Sequence, residues 1–376
     1  MASNSSVHPT RAYLTHRDPL TFTEAVTIIE RAVNRALPGQ YRPFEKVAVL
    51  MMYWDNDKRG SKPLQERLGA IFQSQFHYTV EHFAIPARPS TSTPSWHLME
   101  CLNTFRHTHE GPNNLLIYVY SGHASSGTSR SECLLQSGIF PQRRRTGLGH
   151  DSVSRKDGAQ SIDWLSYRVV ADNTEARTLF LFDCCFAATS KVRNAETESE
   201  YLAASAMDIR ATGRKSNRLI HRFTELLREF EGRPMTIATY HAHLVSRMNS
   251  PDHRLDNVPL HIQPKTYGSI VLAPLTDTMV EGPLETKPVS STGRVLISIQ
   301  LECDDAVPNV KELEEYLLAR MGSNGPEIKV ARLFNANPIL LLLTLPTDVW
   351  DLMGENENMD FVSHVDGGEN LLFAQT

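Results

Sequence analysis

The chain has 376 residues, of which 41% are hydrophobic and 22% are charged. This composition excludes a disordered or fibrous protein, and the length is enough for about two globular domains. The formal net charge of −5 provides no global basic surface, so neither a nucleic acid nor a membrane is expected as a partner.

The N-terminal sequence and the cysteines predict where the protein acts. The first twenty residues contain no apolar run typical of a signal peptide, and the longest apolar run, 339–345, is too short to span a bilayer. Two of the five cysteines, Cys184 and Cys185, are neighbours, which is a poor geometry for a disulfide. We therefore expect free thiols, a reducing compartment and a cytoplasmic location.

Helical and strand patterns alternate along the first three quarters of the chain. A first amphipathic helix begins at a capping box formed by Thr21 and Glu24. The elements predicted after it are strand 47–53, helix 64–72, strand 78–85, helix 96–105, strand 115–120, helix 162–170, strands 178–182 and 201–206, helix 219–230 and the apolar segment 268–272. Apolar strands that are each followed by a helix predict a three-layer α/β/α sandwich with a mainly parallel central sheet.

The last quarter of the chain has a different pattern. Residues 276–293 lose periodicity and gain Pro, Gly, Ser and Thr, which is typical of a linker. The elements predicted beyond it are strand 295–301, helix 310–321, strands 328–333 and 339–345, helix 347–353 and strand 361–365. This βαββαβ order predicts a small α+β, ferredoxin-like accessory domain. From residue 301 onward there are 14 acidic residues against 4 Lys and Arg, so the accessory domain is strongly acidic.

These patterns predict four segments. They are an N-terminal polar segment with the amphipathic helix at 1–43, the main α/β domain at 44–275, the linker at 276–293 and the acidic accessory domain at 294–376.

Two predicted strands end in residues that can carry chemistry. One strand ends before His123, and the other ends at Asp183 and is followed by Cys184 and Cys185. Because the carboxyl ends of parallel strands lie on one edge of the sheet, His123 and Cys185 can meet although 62 positions separate them. An imidazole near a thiol favours the nucleophilic thiolate. The sequence therefore predicts a Cys–His hydrolase site.

The two motifs, YSGH at 120–123 and DCC at 183–185, resemble those of the caspase and metacaspase superfamily. The likeness covers about residues 44–275 and is closest to metacaspases and fungal caspase-like proteins, because Asp183 stands where caspases carry Gln. The resemblance implies a caspase-like fold and a cysteine endopeptidase that acts on protein or peptide substrates. A role in cell death is implied only by the family.

The resemblance also implies a role for each motif residue. Cys185 is the nucleophile, and His123 protonates the leaving amine. The backbone N–H groups of Ala124 and Cys185 form the oxyanion hole. Asp183 and Ser121 line the pocket for the residue before the cleaved bond, and a carboxylate there favours Arg or Lys in the substrate. Cys184 is expected to be a packed neighbour.

A further residue of this specificity pocket is expected after the first strand. Asp55, Asp57 and Arg59 occupy that region, and the sequence does not choose among them. An aspartate would strengthen the preference for basic substrates, whereas Arg59 would favour an acidic substrate.

Residues 141–160 form a basic segment between the two motifs. It is interpreted either as a surface loop or as a site of self-processing, because it offers basic side chains that the Asp183 pocket would accept. The candidate cleavage positions are Arg143, Arg144, Arg145, Arg155 and Lys156.

No organic cofactor and no metal are predicted. The acidic cluster that binds calcium in many metacaspases is missing, and the remaining candidates, Asp151, Asp157, Asp163 and Asp172, are too scattered for a cage of oxygen ligands. Calcium dependence is therefore not expected. The group His241, His243, His253 and His261 lacks a Cys or a carboxylate at ligand spacing, which argues against a metal site there.

Two departures from the family pattern keep other functions open. Ala124 replaces the glycine that usually follows the histidine, and 186–188 read Phe-Ala-Ala where metacaspases usually have His-Ser-Gly. The alternative is therefore a pseudo-protease that serves as a signalling scaffold, and a third reading is an Asp-specific protease or another thiol hydrolase or acyltransferase. The acidic domain is expected either to dock on the basic loop or to bind a basic protein partner.

Overall fold

A computed structural model describes most of the chain. The described residues are 18–36, 44–58, 60–88, 92–126, 133–137, 160–184, 199–204, 217–263, 267–275, 293–302, 315, 328–353 and 358–365. Two compact units are formed, a larger unit of Val33–Gly293 with Thr347–Leu352, and a smaller unit of Met1–Ala32, Arg294–Pro346 and Met353–Thr376. Within the described residues, no helix is long and apolar enough to cross a membrane.

The described helices and strands follow one another along most of the chain. The helices are α1 (Phe22–Ala36), α2 (Ser61–Ser74), α3 (Pro94–His109), α4 (Trp164–Asp172), α5 (Leu219–Glu229), α6 (Ile237–Arg247) and α7 (Thr347–Met353). The first strands are β1 (Lys46–Trp54), β2 (Thr79–Ile85), β3 (Asn114–Ser121), β4 (His123–Ser126), β5 (Cys133–Gln136), β6 (Ser161–Asp163), β7 (Arg177–Asp183) and β8 (Glu200–Ala203). The later strands are β9 (Met235–Thr236), β10 (Leu260–Ile262), β11 (Val271–Leu272), β12 (Arg294–Leu301), β13 (Lys329–Phe334), β14 (Ile339–Pro346) and β15 (Met359–Val365).

The larger unit is built on a six-stranded sheet with the order β10-β8-β7-β3-β1-β2. Strands β1, β2, β3, β7 and β8 of this sheet are parallel to one another, and β10 is antiparallel to β8. Strands β1 and β3 are buried along almost their whole length, as expected for a parallel sheet with helices on both faces. The predicted mixed α/β class with a mainly parallel central sheet is therefore confirmed.

Alternate residues of the central strands enter two hydrophobic cores. Val47, Val49 and Met51 of β1 pack in one core with residues of α2, α5 and α6. The intervening Ala48 and Leu50 pack in the other core with residues of α3 and α4. Because successive side chains of a strand point to opposite faces, each face of the sheet is covered by helices.

The smaller unit contains a four-stranded antiparallel sheet with the order β13-β14-β12-β15. Burial alternates along β12, as in a sheet with one face on a core and the other face polar. Leu20 forms a parallel bridge to Leu301 and also belongs to this unit. Of the predicted helix 310–321, only residue 315 lies within the described residues, and it is helical.

The structure corrects two local predictions. Ile162 was expected in a helix but lies in β6, and the helix begins at Trp164 after Asp163, whose side chain accepts a hydrogen bond from Leu165 N–H. Helix α6 has no counterpart among the predicted elements, although Thr236 caps its start by accepting a hydrogen bond from Thr239 N–H.

Candidate active site

The ends of strands β3 and β7 lie side by side at the carboxyl edge of the central sheet. The two strands are parallel, and Ser121 is in register with Asp183. The backbone N–H of Gly122 donates to the Asp183 carbonyl at 3.4 Å. Ser121 and Asp183, which precede the predicted site residues His123 and Cys185 by two positions, therefore lie side by side on neighbouring strands.

The turn between β3 and β4 holds His123 in a defined backbone position. The Tyr120 hydroxyl donates to the His123 carbonyl at 2.8 Å, and His123 is half-buried. A Cβ atom on Gly122 would lie 2.7 Å from that hydroxyl, so any side chain at this position would force the buried Tyr120 to shift. His123 pairs with Gln136, and Ala124, which is 5% exposed, pairs with Leu135.

Asp183 and Ser121 are both buried at this edge. Asp183 Oδ2 accepts a hydrogen bond from Arg218 Nε at 2.8 Å and lies 2.7 Å from Arg218 Nη2. The guanidinium of Arg218 also donates to Ser61 Oγ at 3.3 Å. Ser121 is fully buried, and within the described part of the chain its Oγ has no hydrogen-bond partner. Sequence analysis named the carboxylate of this site but missed the cation that pairs with it.

The two aspartates after β1 stabilise local backbone. Asp55, which is exposed, accepts a hydrogen bond from Ala87 N–H at 3.0 Å. Asp57 accepts a hydrogen bond from Ser61 N–H at 2.8 Å, at the first turn of α2. Neither contact requires a substrate, and each is what an aspartate commonly does beside a turn or a helix start.

Several predicted site residues lie outside the described residues. They are the nucleophile Cys185, the pocket candidate Arg59, and the processing candidates Arg143, Arg144, Arg145, Arg155 and Lys156. The same holds for Phe186, Ala187, Ala188, Asp151 and Asp157.

The two described calcium candidates have partners in the protein. Asp163 caps α4 and accepts a further hydrogen bond from the Ser166 hydroxyl at 2.9 Å. Asp172 forms an ion pair with Arg168 at 2.7 Å and accepts from the Ser199 hydroxyl. Burial is the main reason that the pKa of Asp172 is raised, and the Ser199 and Arg168 contacts oppose this shift.

Three described cysteines, Cys101, Cys133 and Cys184, form no disulfide. Burial raises the pKa of Cys133 to about 12, with a smaller contribution from Asp163. Burial, with Glu81 and Glu100, also raises the pKa of Cys101 to about 12. Both thiols are therefore poor nucleophiles at neutral pH.

A second polar cluster of the larger unit contains His241, His261 and Asp351. One ring nitrogen of each histidine and one carboxylate oxygen of Asp351 all lie within 4.8 Å of one another. His241 Nδ1 contacts Asp351 Oδ2 directly. Burial lowers the pKa of His241, but the Asp351 carboxylate and the hydrogen bonds to Asp351 and to the Pro259 carbonyl outweigh burial and raise it overall. Sequence analysis considered these histidines but had no signal that could bring Asp351 to them.

Comparison with known proteins adds no family to this description. No protein-family model matches the chain, and no curated protein matches its sequence. The class that fold and site define is a mixed α/β protein whose parallel sheet brings two polar strand ends to one edge.

Proposed function

We propose that the protein is a cysteine endopeptidase of the caspase and metacaspase type. The observation that carries the proposal is the register of β3 and β7, which aligns Ser121 with Asp183 on neighbouring parallel strands. His123 and Cys185 each follow these aligned positions by two residues. Since neighbouring strands lie about 4.8 Å apart, an imidazole and a thiol that leave the same edge are within reach of one reacting bond.

In the proposed reaction, the Cys185 thiolate attacks the carbonyl carbon of the substrate peptide bond. The backbone N–H groups of Ala124 and Cys185 stabilise the oxyanion, and His123 gives a proton to the leaving amine. The acyl-enzyme is then hydrolysed by a water that gives a proton to His123, and the tetrahedral intermediate expels the Cys185 thiolate and releases the new acid, which ionises at neutral pH. No cofactor or metal takes part in these steps.

The residues of the proposed pocket are compatible with two substrate specificities, cleavage after Arg or Lys and cleavage after Asp. Asp183 supports cleavage after Arg or Lys, because its buried carboxylate attracts a cation. Arg218 favours the alternative, which is cleavage after Asp. Its guanidinium lies 2.7 Å from the Asp183 carboxylate and already neutralises the charge that would attract a basic substrate. The proposal is cleavage after Arg or Lys, with the Asp183–Arg218 pair as the base of the pocket.

Fluorogenic peptides that carry Arg, Lys or Asp before the reporter amide test this proposal. We expect the full chain to cleave after Arg or Lys, and we expect Cys185→Ala and His123→Ala to abolish the cleavage. Cys184→Ala is the matched control, because Cys184 is the neighbouring thiol and is 1% exposed. Its activity should change by less than about tenfold if it only packs.

Other results of the same assay would support the alternatives. Cleavage after Asp alone would replace the proposed specificity with the caspase-like one. The absence of cleavage of all peptides, with and without calcium, would favour a scaffold without peptidase activity, as Ala124 and the Phe-Ala-Ala sequence at 186–188 suggest.

Self-processing is proposed as a property of the same site. Intact-mass analysis of the incubated full chain should reveal cuts after basic residues of 141–160, and the Cys185→Ala chain should stay whole. Cuts that persist in Cys185→Ala would come from another protease and would remove this part of the proposal.

The smaller unit is proposed to be a ferredoxin-like accessory domain. Its sheet order, β13-β14-β12-β15, supports this because it places the first and third strands of the predicted βαββαβ pattern at the centre. Its acidic sequence supports a basic protein partner. A pull-down with the full chain at low and high salt tests this partner, which should be released by high salt.

A further inference from the structure

Three elements of the larger unit bring together side chains that are far apart in the sequence. His241 lies on α6, His261 on the edge strand β10 and Asp351 on α7. Among the residues that the structure describes, they are the group of His, Cys, Asp and Glu side chains whose spacing could hold a metal ion. The side chains of His241 and His261 are 7% and 1% exposed, and that of Asp351 is 18% exposed.

The contacts of Glu200 determine which nitrogen of His261 is available. Glu200 Oε1 lies 2.6 Å from His261 Nε2 and accepts the Ser269 hydroxyl at 2.5 Å, while Oε2 accepts Ile270 N–H at 2.6 Å. A fully buried carboxylate that accepts these donors makes His261 Nε2 a donor as well, so a neutral ring carries its lone pair on Nδ1.

Besides the spacing of the three side chains, the state of His261 Nδ1 also points to a ligand. This atom is buried and, within the described residues, has no hydrogen-bond partner. A buried polar atom without a partner destabilises the folded protein, and a metal ion bound to the lone pair would satisfy it.

His241 differs from His261 in that both of its ring nitrogens have a partner. Its Nε2 lies 3.0 Å from the Pro259 carbonyl, which can only accept, so Nε2 is the donor and Nδ1 is the nitrogen that faces Asp351. In both histidines Nε2–H is held by an oxygen acceptor, and Nδ1 is the nitrogen left for a metal, which at His241 would replace the proton shared with Asp351. Metal-ligating histidines show this pattern, in which the second ring N–H is held by a carboxylate or a backbone carbonyl.

We propose that His241 Nδ1, His261 Nδ1 and a carboxylate oxygen of Asp351 bind a divalent transition metal, with Zn²⁺ as the best match. Two imidazoles and one carboxylate suit Zn²⁺ and leave a fourth position for water. Ligand atoms around a tetrahedral Zn²⁺ are about 3.4 Å apart, a spacing that fits within the 4.8 Å that contains the three candidate ligand atoms. The metal would fasten α6, β10 and α7 to one another.

This inference replaces the expectation that the histidines bind no metal. That expectation depended on the lack of a nearby carboxylate, and Asp351 follows His261 by 90 positions. The proposed metal site shares no residue with the proposed peptidase site. Metal binding can therefore be measured directly, and the result does not depend on whether the protein is a peptidase.

The test uses the full chain after removal of metal with a chelator. We expect equilibrium dialysis with Zn²⁺ alone to show one tightly bound ion per chain, and bound Zn²⁺ to raise the thermal midpoint. His261→Gln and Asp351→Asn should each weaken this binding by at least about 100-fold, and Glu200→Gln by about 10–100-fold, as for residues that orient a ligand. Asp351→Asn keeps an acceptor toward His241 and is the variant most compatible with folding.

Two matched controls separate this site from other zinc ligands. His253→Gln removes another histidine of the same unit and should leave the tightly bound ion in place. Cys185→Ala should also retain it, which excludes binding by the reactive thiol.

Three results would overturn the proposal. The first is that the full chain does not bind Zn²⁺ tightly. The second is that His261→Gln and Asp351→Asn bind Zn²⁺ as tightly as the unmodified chain, and the third is that Cys185→Ala loses the ion. If the ligand variants do not fold, the Co²⁺ form of the unmodified chain decides. A strong tetrahedral absorption without thiolate charge transfer supports the site, and an octahedral or thiolate-type spectrum contradicts it.

Discussion

At the scale of single residues, the Asp183 carboxylate is paired with Arg218 and, under the proposed function, also belongs to the specificity pocket. Asp183 is 3% exposed on its side chain and is held by Arg218, which is 14% exposed. Removing one partner of such a pair leaves the other charge buried without compensation, whereas removing both leaves two neutral groups. The contribution of this pair to stability can therefore be measured without a substrate.

Asp183→Asn is expected to lower the free energy of unfolding by about 3 kcal/mol, because Arg218 would keep its buried charge without a carboxylate. The double variant Asp183→Asn with Arg218→Gln should regain at least half of this loss. Urea unfolding of the full chain measures both. Glu229→Gln breaks the more exposed pair with Arg247 and serves as the control, with a change within about 1 kcal/mol. Equal losses for the two pairs would show that burial does not set the strength of the Asp183 pair.

The reactivity of the cysteines is a second prediction at this scale. Because the thiols of Cys101 and Cys133 have a pKa of about 12, they should react with iodoacetamide about 10³-fold more slowly at neutral pH than an ordinary exposed thiol. Under the proposed function, Cys185 should be labelled first. Peptide mapping after timed alkylation of the folded chain measures the order. Early labelling of Cys133 would contradict the burial that raises its pKa.

At the scale of elements, sequence patterns were sufficient where an element is long and periodic. The capping box of α1 is observed as predicted, since Thr21 N–H donates to Glu24 Oε2 at 2.8 Å and Glu24 N–H donates to Thr21 Oγ1 at 3.2 Å. The strands that carry the two motifs are also at their predicted places. Helix α6 was missed because it is buried on most sides, so its apolar residues do not form a single stripe.

The second polar cluster could not be predicted for a different reason. Its members come from a helix, a short edge strand and a helix that the sequence attributes to another domain. No local spacing relates His261 to Asp351, and only the tertiary structure brings them together. Arg218 was missed for the same reason, because it meets Asp183 across 35 positions.

The first turn of α1 provides a prediction about a single element. Thr21→Ala removes the hydroxyl that accepts Glu24 N–H, so the free energy of unfolding should fall by about 0.5–2 kcal/mol. The control is Thr23→Ala in the same turn, which replaces an exposed threonine and should change stability by less than about 0.5 kcal/mol. Urea unfolding followed by circular dichroism gives both values. An equal effect of the two substitutions would mean that the cap does not stabilise the helix.

At the scale of the whole molecule, the two units are not made of consecutive stretches of the chain. Helix α7 lies between β14 and β15 in the sequence, yet residues 347–352 belong to the larger unit. Thr347 donates to the Gly293 carbonyl at 2.6 Å, and Arg35 Nη1 donates to the Leu352 carbonyl at 3.1 Å. Val349 and Leu352 are buried at 0% and 2% exposure. The larger unit is therefore completed by a segment that follows the predicted linker by more than fifty positions.

A cut in that linker should damage the larger unit. A chain that ends at residue 293 keeps every strand of the central sheet but loses α7, so the residues that α7 covers become exposed to water. We expect this fragment to show a lower thermal midpoint and faster limited proteolysis than the full chain. Leu352→Ala tests the same contact within the full chain and should cost about 2–5 kcal/mol, because it leaves a cavity under α7. Ser363→Ala, at an exposed position of β15, is the control and should leave the midpoint almost unchanged. A fragment as stable as the full chain, together with a silent Leu352→Ala, would show that α7 is dispensable and that the larger unit is complete before the linker.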